Sequence, residues 1–552
     1  MPFQFSNPAP YRFKAGDIFL GVDDQGQEIG LETERHAIAV AGAGTGKGAA
    51  LIIPNLLRWQ ASALCIDPKG ENAERTYQAR EAMGQTVGVL DPFHAAEIPA
   101  RLRVSVNVLS GIDPASRTAR GDVETIADGL VKRSDPKHAE WDDGAASVLA
   151  GVIAYVLADP PPEGASLPLI RRMLLQGKDD LYADAQRMLA CDACGGLAKA
   201  AGATIMSALE ADKGMEKDFL GGARRHSAWL DDPAIADVLG ASTFNLSSLK
   251  NGAGSLYLVL PPHYIDSKAA FLRLFVRSAL NTMAAGGSGK GGRCLFLLDE
   301  FYALGRLDIV AKAAGLMRSY GVSLFPFLQD LGQLQELYGV KGAETFFGNA
   351  DAHIFFGNSD TVTLQYVSDR IGRLTPDEIA PSVPTSHAQA DDWAKASHQN
   401  ELARYNHKMR QAGQPRLTPA EVAALVGKGH NDLVARSMIV FGKAGEAINL
   451  HLAPYFGRAS PNKTLPYTPN AVVRDEKPDW GDVIMHGGLA VLLLPFCLGL
   501  LYLLPQGLNY GQFELWVSIL LGLPILGGLV LLMGWAARYA LRIALFLQRG
   551  GG

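Results

Sequence analysis

The sequence predicts an α/β protein built on a parallel sheet, with an inserted all-helical domain and a C-terminal apolar hairpin. Three observations carry this. Short, continuously apolar strands alternate with helical segments on both sides of residues 113–235, that stretch is itself helical throughout, and no Lys or Arg occurs between Lys477 and Arg538. Continuously apolar strands that alternate with helices belong to a parallel sheet covered on both faces, because such strands are buried above and below. A chain of 552 residues has room for about three or four units, each able to bury a core.

In chain order, His36–Ala41 reads as a short strand ending in a Gly-rich turn, with a helix starting near Lys47. Strands follow at Ser62–Asp67 and Thr86–Asp91. Within the helical stretch, Val148/Leu149, Val152/Ile153 and Val156/Leu157 recur every four residues, as one helix face requires. Strand signals resume at Ser255–Leu260, Cys294–Asp299, Val322–Leu328 and Ala352–Gly357. Thr385–Asn431, rich in Ala, Gln, His and charge, reads as an exposed excursion. Arg436–Lys443 and Glu446–Leu452 read as a closing hairpin.

The C-terminal window contains two apolar runs, 483–504 and 515–537, separated by 505–514. Each supplies the ~20 residues that cross ~30 Å of hydrocarbon. The flanks carry Arg474, Lys477, Arg538, Arg542 and Arg549, while the loop carries only Glu514, so both ends are expected in the cytoplasm. The competing reading is a pair of core helices in a soluble protein. The N-terminal residues MPFQFSNPAP lack the charged-then-apolar order of a signal peptide, so the remaining segments are expected in the cytoplasm. The formal charge of −5 excludes a nucleic-acid binder that works through net charge, so any DNA contact must be local. Five scattered cysteines are no disulfide framework, and the lone CxxC at Cys191 and Cys194 reads as small buried residues.

The chemistry begins in AVAGAGTGKG. Gly42, Gly44 and Gly46 let a backbone approach phosphate oxygens, with Ala43, Thr45, Gly48 and Ala49 completing the loop and helix start. Lys47 supplies positive charge, and the new helix offers free N–H groups and its positive dipole end. The usual pattern has Gly where Ala41 stands and Ser or Thr where Gly48 stands. Two other readings compete: a dinucleotide turn, whose third glycine would fall at Lys47, and a purely structural glycine turn. A second element favours the phosphate loop. CLFLLDE (294–300) is an apolar strand ending in two acids, the pattern in which Asp299 would hold Mg²⁺ and Glu300 would polarise a water in a P-loop ATPase.

These residues resemble the type IV secretion coupling proteins, the TraG-like conjugation ATPases. The matching segments are GTGKGAALIIPNLL (44–57), IDPKGE (66–71) with Arg75 and Thr76, VLDPF (89–93), FLLDEFYALGRL (296–307), RSYGVSLFPFLQDLGQLQELYG (318–339) and LTPAEVAAL (417–425). They occur in the family's order over 36–456, some three quarters of the chain. The resemblance implies a RecA-like P-loop ATPase core, ATP and Mg²⁺ as cofactors, and a homo-hexamer at the bacterial inner membrane. It implies partners among the channel components of a type IV secretion system. The implied cargo is single-stranded DNA with a bound relaxase, with effector proteins as the alternative; a non-hydrolysing docking adaptor is the reading from another class.

It further implies that Gln329 senses the γ-phosphate and that Arg318 reaches a neighbouring subunit's nucleotide. The plainer readings are a helix-start residue and a solvated helix-end cation. Asp67, Lys69 and Glu71 are expected to orient the site. The basic residues of the helical stretch, Lys132, Arg133, Lys137, Arg171, Arg172, Arg224 and Arg225, read equally as a solvated face. The expected organisation is a lead-in at 1–35, the nucleotide-binding domain at 36–112 and 236–480, the helical insertion at 113–235, and the membrane hairpin with its tail at 481–552. An anchor that follows the motor departs from the family's usual order.

Overall fold

A computed structural model describes residues 3–456 apart from 33–35, 133–138, 162–163, 212, 286–290, 375–412, 430–431 and 433. The expected membrane hairpin, and most of the expected excursion at 385–431, lie outside the described residues. The described residues all belong to one compact unit.

Its frame is an eleven-stranded sheet. The strands are β1 Ile18–Val22, β2 Glu28–Leu31, β3 His36–Ala41, β4 Ser62–Asp67, β5 Thr86–Leu90, β6 Gly254–Val259, β7 Cys294–Leu298, β8 Val322–Leu328, β9 Ala350–Phe356, β10 Ser437–Phe441 and β11 Ala447–His451. Their spatial order is β2-β1-β11-β10-β9-β3-β8-β7-β4-β6-β5. The seven strands from β9 to β5 are parallel, with Val40 opposite Leu328, Leu298 opposite Pro326 and Asp67 opposite Val259. Residues Ala37–Ala41 and Leu295–Leu298 are at most 1% exposed, which is why these strands are apolar at every position rather than alternating. The closing hairpin is present as β10 and β11, antiparallel with Val440 opposite Ile448.

Two findings depart from the sequence reading. The stretch taken as a lead-in contains β1 and β2, which pair with each other and extend the sheet beyond β11. Asn55, in the helix that follows the glycine turn, clamps β1: its Oδ1 accepts from Phe19 N at 2.8 Å, and its Nδ2 donates to Phe19 O and Leu51 O, each at 2.9 Å. The end of the supposed excursion is docked, because helix Pro419–Val426 buries Val422 and Val426 and starts in a Thr418/Glu421 capping box.

Helices occupy the chain between β5 and β6, from Ala119–Leu130 to Ser247–Lys250. Among the described residues one helix, Ala139–Ala158, is long and apolar enough to cross a membrane by length and composition. It packs against helices Ala193–Glu210 and Met215–His226 as the centre of this block, which accounts for its apolar character.

Candidate functional site

Each parallel strand ends at the same edge of the sheet, and the candidate residues follow those ends in spatial order. β3 leads into the glycine turn, its neighbour β8 into Gln329, the next strand β7 into Asp299 and Glu300, and β4 into 68–71. Loops at the carboxyl ends of parallel strands are where α/β sheets bind ligands.

The glycine turn is held tightly at its base. Ala41, buried and paired with Phe356, belongs to the strand, so its side chain lies outside the loop. A Cβ on Gly42 would lie 2.1 Å from Gly357 O, and one on Gly46, at φ +102°, 2.4 Å from Val434 Cγ1. Thr45 Oγ1 donates to Gly42 O at 2.6 Å. Ala43 and Gly44 are exposed at the loop tip. The helix that follows spans Gly48–Arg58. It opens with a wide turn in which Ile53 N donates to Gly48 O, and Pro54 has no N–H to offer Ala49 O. Tyr455 N fills that vacancy at 2.9 Å.

Charge converges on the neighbouring strand ends. Desolvation lifts the Asp299 carboxyl to about 6, opposed first by the nearby positive charge of Lys47 and also by that of Lys69. Asp67 is pushed up to about 7 by burial, despite a 2.8 Å bond from Ala73 N. Glu300 adopts a left-handed backbone, φ +49° and ψ +42°, a conformation costing roughly 1–3 kcal/mol for a residue with a Cβ. In that conformation its Oε2 accepts from Gln329 Nε2 at 3.3 Å. Asp330 accepts from Gln333 N and caps helix Leu331–Asn349, which fixes the chain direction just after Gln329. Two desolvated acids beside a glycine turn, one of them opposite the charges of Lys47 and Lys69, form a donor set suited to a polyanion with a divalent cation.

Residues 4–477 match the family described as Type IV secretory system Conjugative DNA transfer. The chain belongs to this family. Among curated relatives, Conjugal transfer protein TraG of Rhizobium radiobacter is 26% identical over 347 residues, 62% of this chain and 52% of the relative. Type IV secretion system-coupling protein VirD4 of Bartonella quintana is 27% identical over 349 residues, 62% and 53% of the two chains. The chain thus spans about half the length of these curated relatives. Its fold is that of the bacterial conjugative coupling protein TrwBdeltaN70 in complex with sulphate, with a TM-score of 0.58, 16% identity, and coverage of 82% of this chain and 95% of that one. The same plasmid coupling protein in complex with a non-hydrolysable ATP analogue gives a TM-score of 0.57 at 17% identity, covering 81% and 91%. The parallel core is accordingly the RecA-like core of this family.

For this member of the family, the structure brings Lys47, Asp299, Glu300 and Gln329 to one edge of the sheet. Arg318 stands apart from them. It lies in the 3-10 turn Met317–Tyr320 that precedes β8, at the amino ends of the parallel strands. The seven residues of β8 span roughly 20 Å at ~3.3 Å each, which separates this turn along the chain from the strand end at Gln329. Several contacts to the turn come from residues the sequence reading did not single out. Lys428 Nζ donates to Gly44 O at 2.8 Å and Ala435 N to Thr45 O at 2.9 Å, while at the end of β8 Asn358 Nδ2 donates to Gln329 O at 3.4 Å. The motif LTPAEVAAL ends three residues before Lys428, but nothing in its spacing reveals that the chain returns to a turn some 380 positions earlier.

Proposed function

We propose that this chain is the ATP-driven motor of a type IV secretion or conjugation system, assembled as a homo-hexamer at the inner membrane. The observation that carries the reading is the convergence of Lys47, Asp299, Glu300 and Gln329 on adjacent strand ends around a glycine turn whose closest contacts leave no room for side chains. Lys47 and the N–H groups of 42–49 bind the phosphates of ATP. Asp299 would hold Mg²⁺, which when bound screens phosphate charge. Glu300 orients and polarises the attacking water, and Gln329 senses the terminal phosphate. Arg318 acts on the nucleotide of a neighbouring subunit, a role supported by its place at the opposite edge of its own sheet.

The cargo proposed is single-stranded DNA with its relaxase, in keeping with the family's description as conjugative DNA transfer. Docking to channel components and anchoring through 483–504 and 515–537 belong to the same proposal. Its test is nucleotide turnover of the full chain. Lys47→Ala should lose both ATP binding and hydrolysis, and Glu300→Gln should retain ATP while losing hydrolysis. Hydrolysis at the parental rate by Glu300→Gln would reject the assignment.

A further inference from the structure

We propose that Phe456, carried by Tyr455, is the stacking platform for the base of the bound nucleotide. The proposal rests on the phosphate-site reading above and adds the recognition of the nucleoside to it. The anchor is a backbone bond. Because Pro54 leaves Ala49 O without an intrahelical donor, the N–H of Tyr455 takes its place at 2.9 Å. Ala49 is the second residue beyond Lys47, so residues 455–456 are tied to the start of the helix that follows the phosphate loop.

The two rings then divide their roles. Tyr455 is committed to the protein: its hydroxyl donates to Glu71 Oε1 at 3.2 Å, and the Arg75 guanidinium lies 5.8 Å from its ring centroid. Phe456 packs one edge against Tyr455, with centroids 5.2 Å apart and planes at 75°. It is otherwise 47% exposed, although such a ring is ordinarily buried. A nucleotide whose phosphates lie on the loop directs its ribose and base outward past the helix start, the point to which the neighbouring Tyr455 is bonded. A base has two apolar faces to cover, and an aromatic ring covers one of them without reading the base's edges. The platform therefore accepts any purine, so adenine and guanine nucleotides should depend on it alike.

Calorimetric titration of the full chain with ATP, GTP and inorganic tripolyphosphate, each with Mg²⁺, separates this proposal from the one it rests on. Phe456→Ala should weaken ATP and GTP each about 10-fold, while tripolyphosphate stays within about twofold. Phe456→Trp should restore ATP affinity, and its added indole fluorescence should be quenched by ATP and left unchanged by tripolyphosphate. Unchanged ATP affinity in Phe456→Ala, with tripolyphosphate still bound, overturns the platform and leaves the phosphate site standing. Equal weakening of ATP and tripolyphosphate also overturns it, since residues 455–456 would then act only by supporting the helix. A parental chain that binds neither ATP nor tripolyphosphate overturns the phosphate site itself.

Discussion

Gln329 reaches from the end of β8 to the end of β7, where its Nε2 donates to Glu300 Oε2 at 3.3 Å. The bond joins two adjacent strand ends on one side of the glycine turn, and it ties a carboxylate on left-handed backbone to a strand whose direction is fixed by the Asp330 cap. Removing Glu300's carboxylate should cost ~10²–10⁴-fold in turnover if it activates water. Gln329→Ala should therefore lose a sizeable part of that factor while binding ATP as tightly as the parent. Steady-state turnover set beside a binding isotherm checks this, and a loss confined to affinity would contradict it.

Asp67 gives a pH-dependent expectation. In the folded chain its carboxyl rises from 3.8 to about 7, chiefly because it is buried. The fold thus binds this proton more tightly than the unfolded chain does, and the associated stability is lost as pH rises through about 7. Asp67→Asn keeps an acceptor for Ala73 N without the charge. It should melt higher than the parent near pH 8, by a few degrees (~2–4 °C), with the gain vanishing near pH 4. A gain of equal size at both pH values, or a loss at the higher one, would show that burial of charge is not the cause.

Arg318 offers a mixing test. If it serves the neighbouring subunit, Arg318→Ala and Lys47→Ala chains should partly rescue one another when co-assembled, because an intact Lys47 site then faces an intact Arg318. Such an arginine contributes up to ~10³–10⁵ in rate, so partial rescue is measurable. Strictly additive activities in assembled mixtures would place Arg318 outside the reaction.

Asn55 holds β1 against the helix after the glycine turn through two buried hydrogen bonds to Phe19. Asn55→Leu would strand the N–H and C=O of Phe19, at a cost of roughly 1–3 kcal/mol for each unsatisfied group. Urea denaturation should record that loss. Limited proteolysis should cut first within residues 18–31; unchanged cleavage there would contradict the clamp.

The apolar hairpin proposed for the C-terminal region has a topology that can be labelled. Asn509→Cys should react with a membrane-impermeant thiol reagent from the periplasmic side, and Gly551→Cys should not. The reverse pattern would overturn a hairpin with both ends in the cytoplasm.

Much of the core was legible because its signals are local. A parallel strand buried on both faces is apolar at consecutive positions, so His36–Ala41 and Cys294–Leu298 could be located from composition alone. The glycine turn and the acidic pair could be located too, since close backbone approach and paired charge each demand particular residue types. β1 and β2 were not legible. Strands of five and four residues carry little pattern, and Val22 of β1 pairs with His451, more than 400 residues away.

By itself the sequence determined the parallel core, the glycine turn at 42–48, the acids after β7 and the family the chain resembles. Each of these follows from short-range patterns of burial, charge and glycine. Tertiary structure alone decided that Gln329 meets Glu300, that Lys428 returns to the glycine turn and Tyr455 to the helix after it, and that Arg318 lies at the far edge of the sheet. Those relations depend on strand order and on where the chain crosses over. A crossover carries no local signature, because the hydrogen bonds that set it join residues tens to hundreds of positions apart.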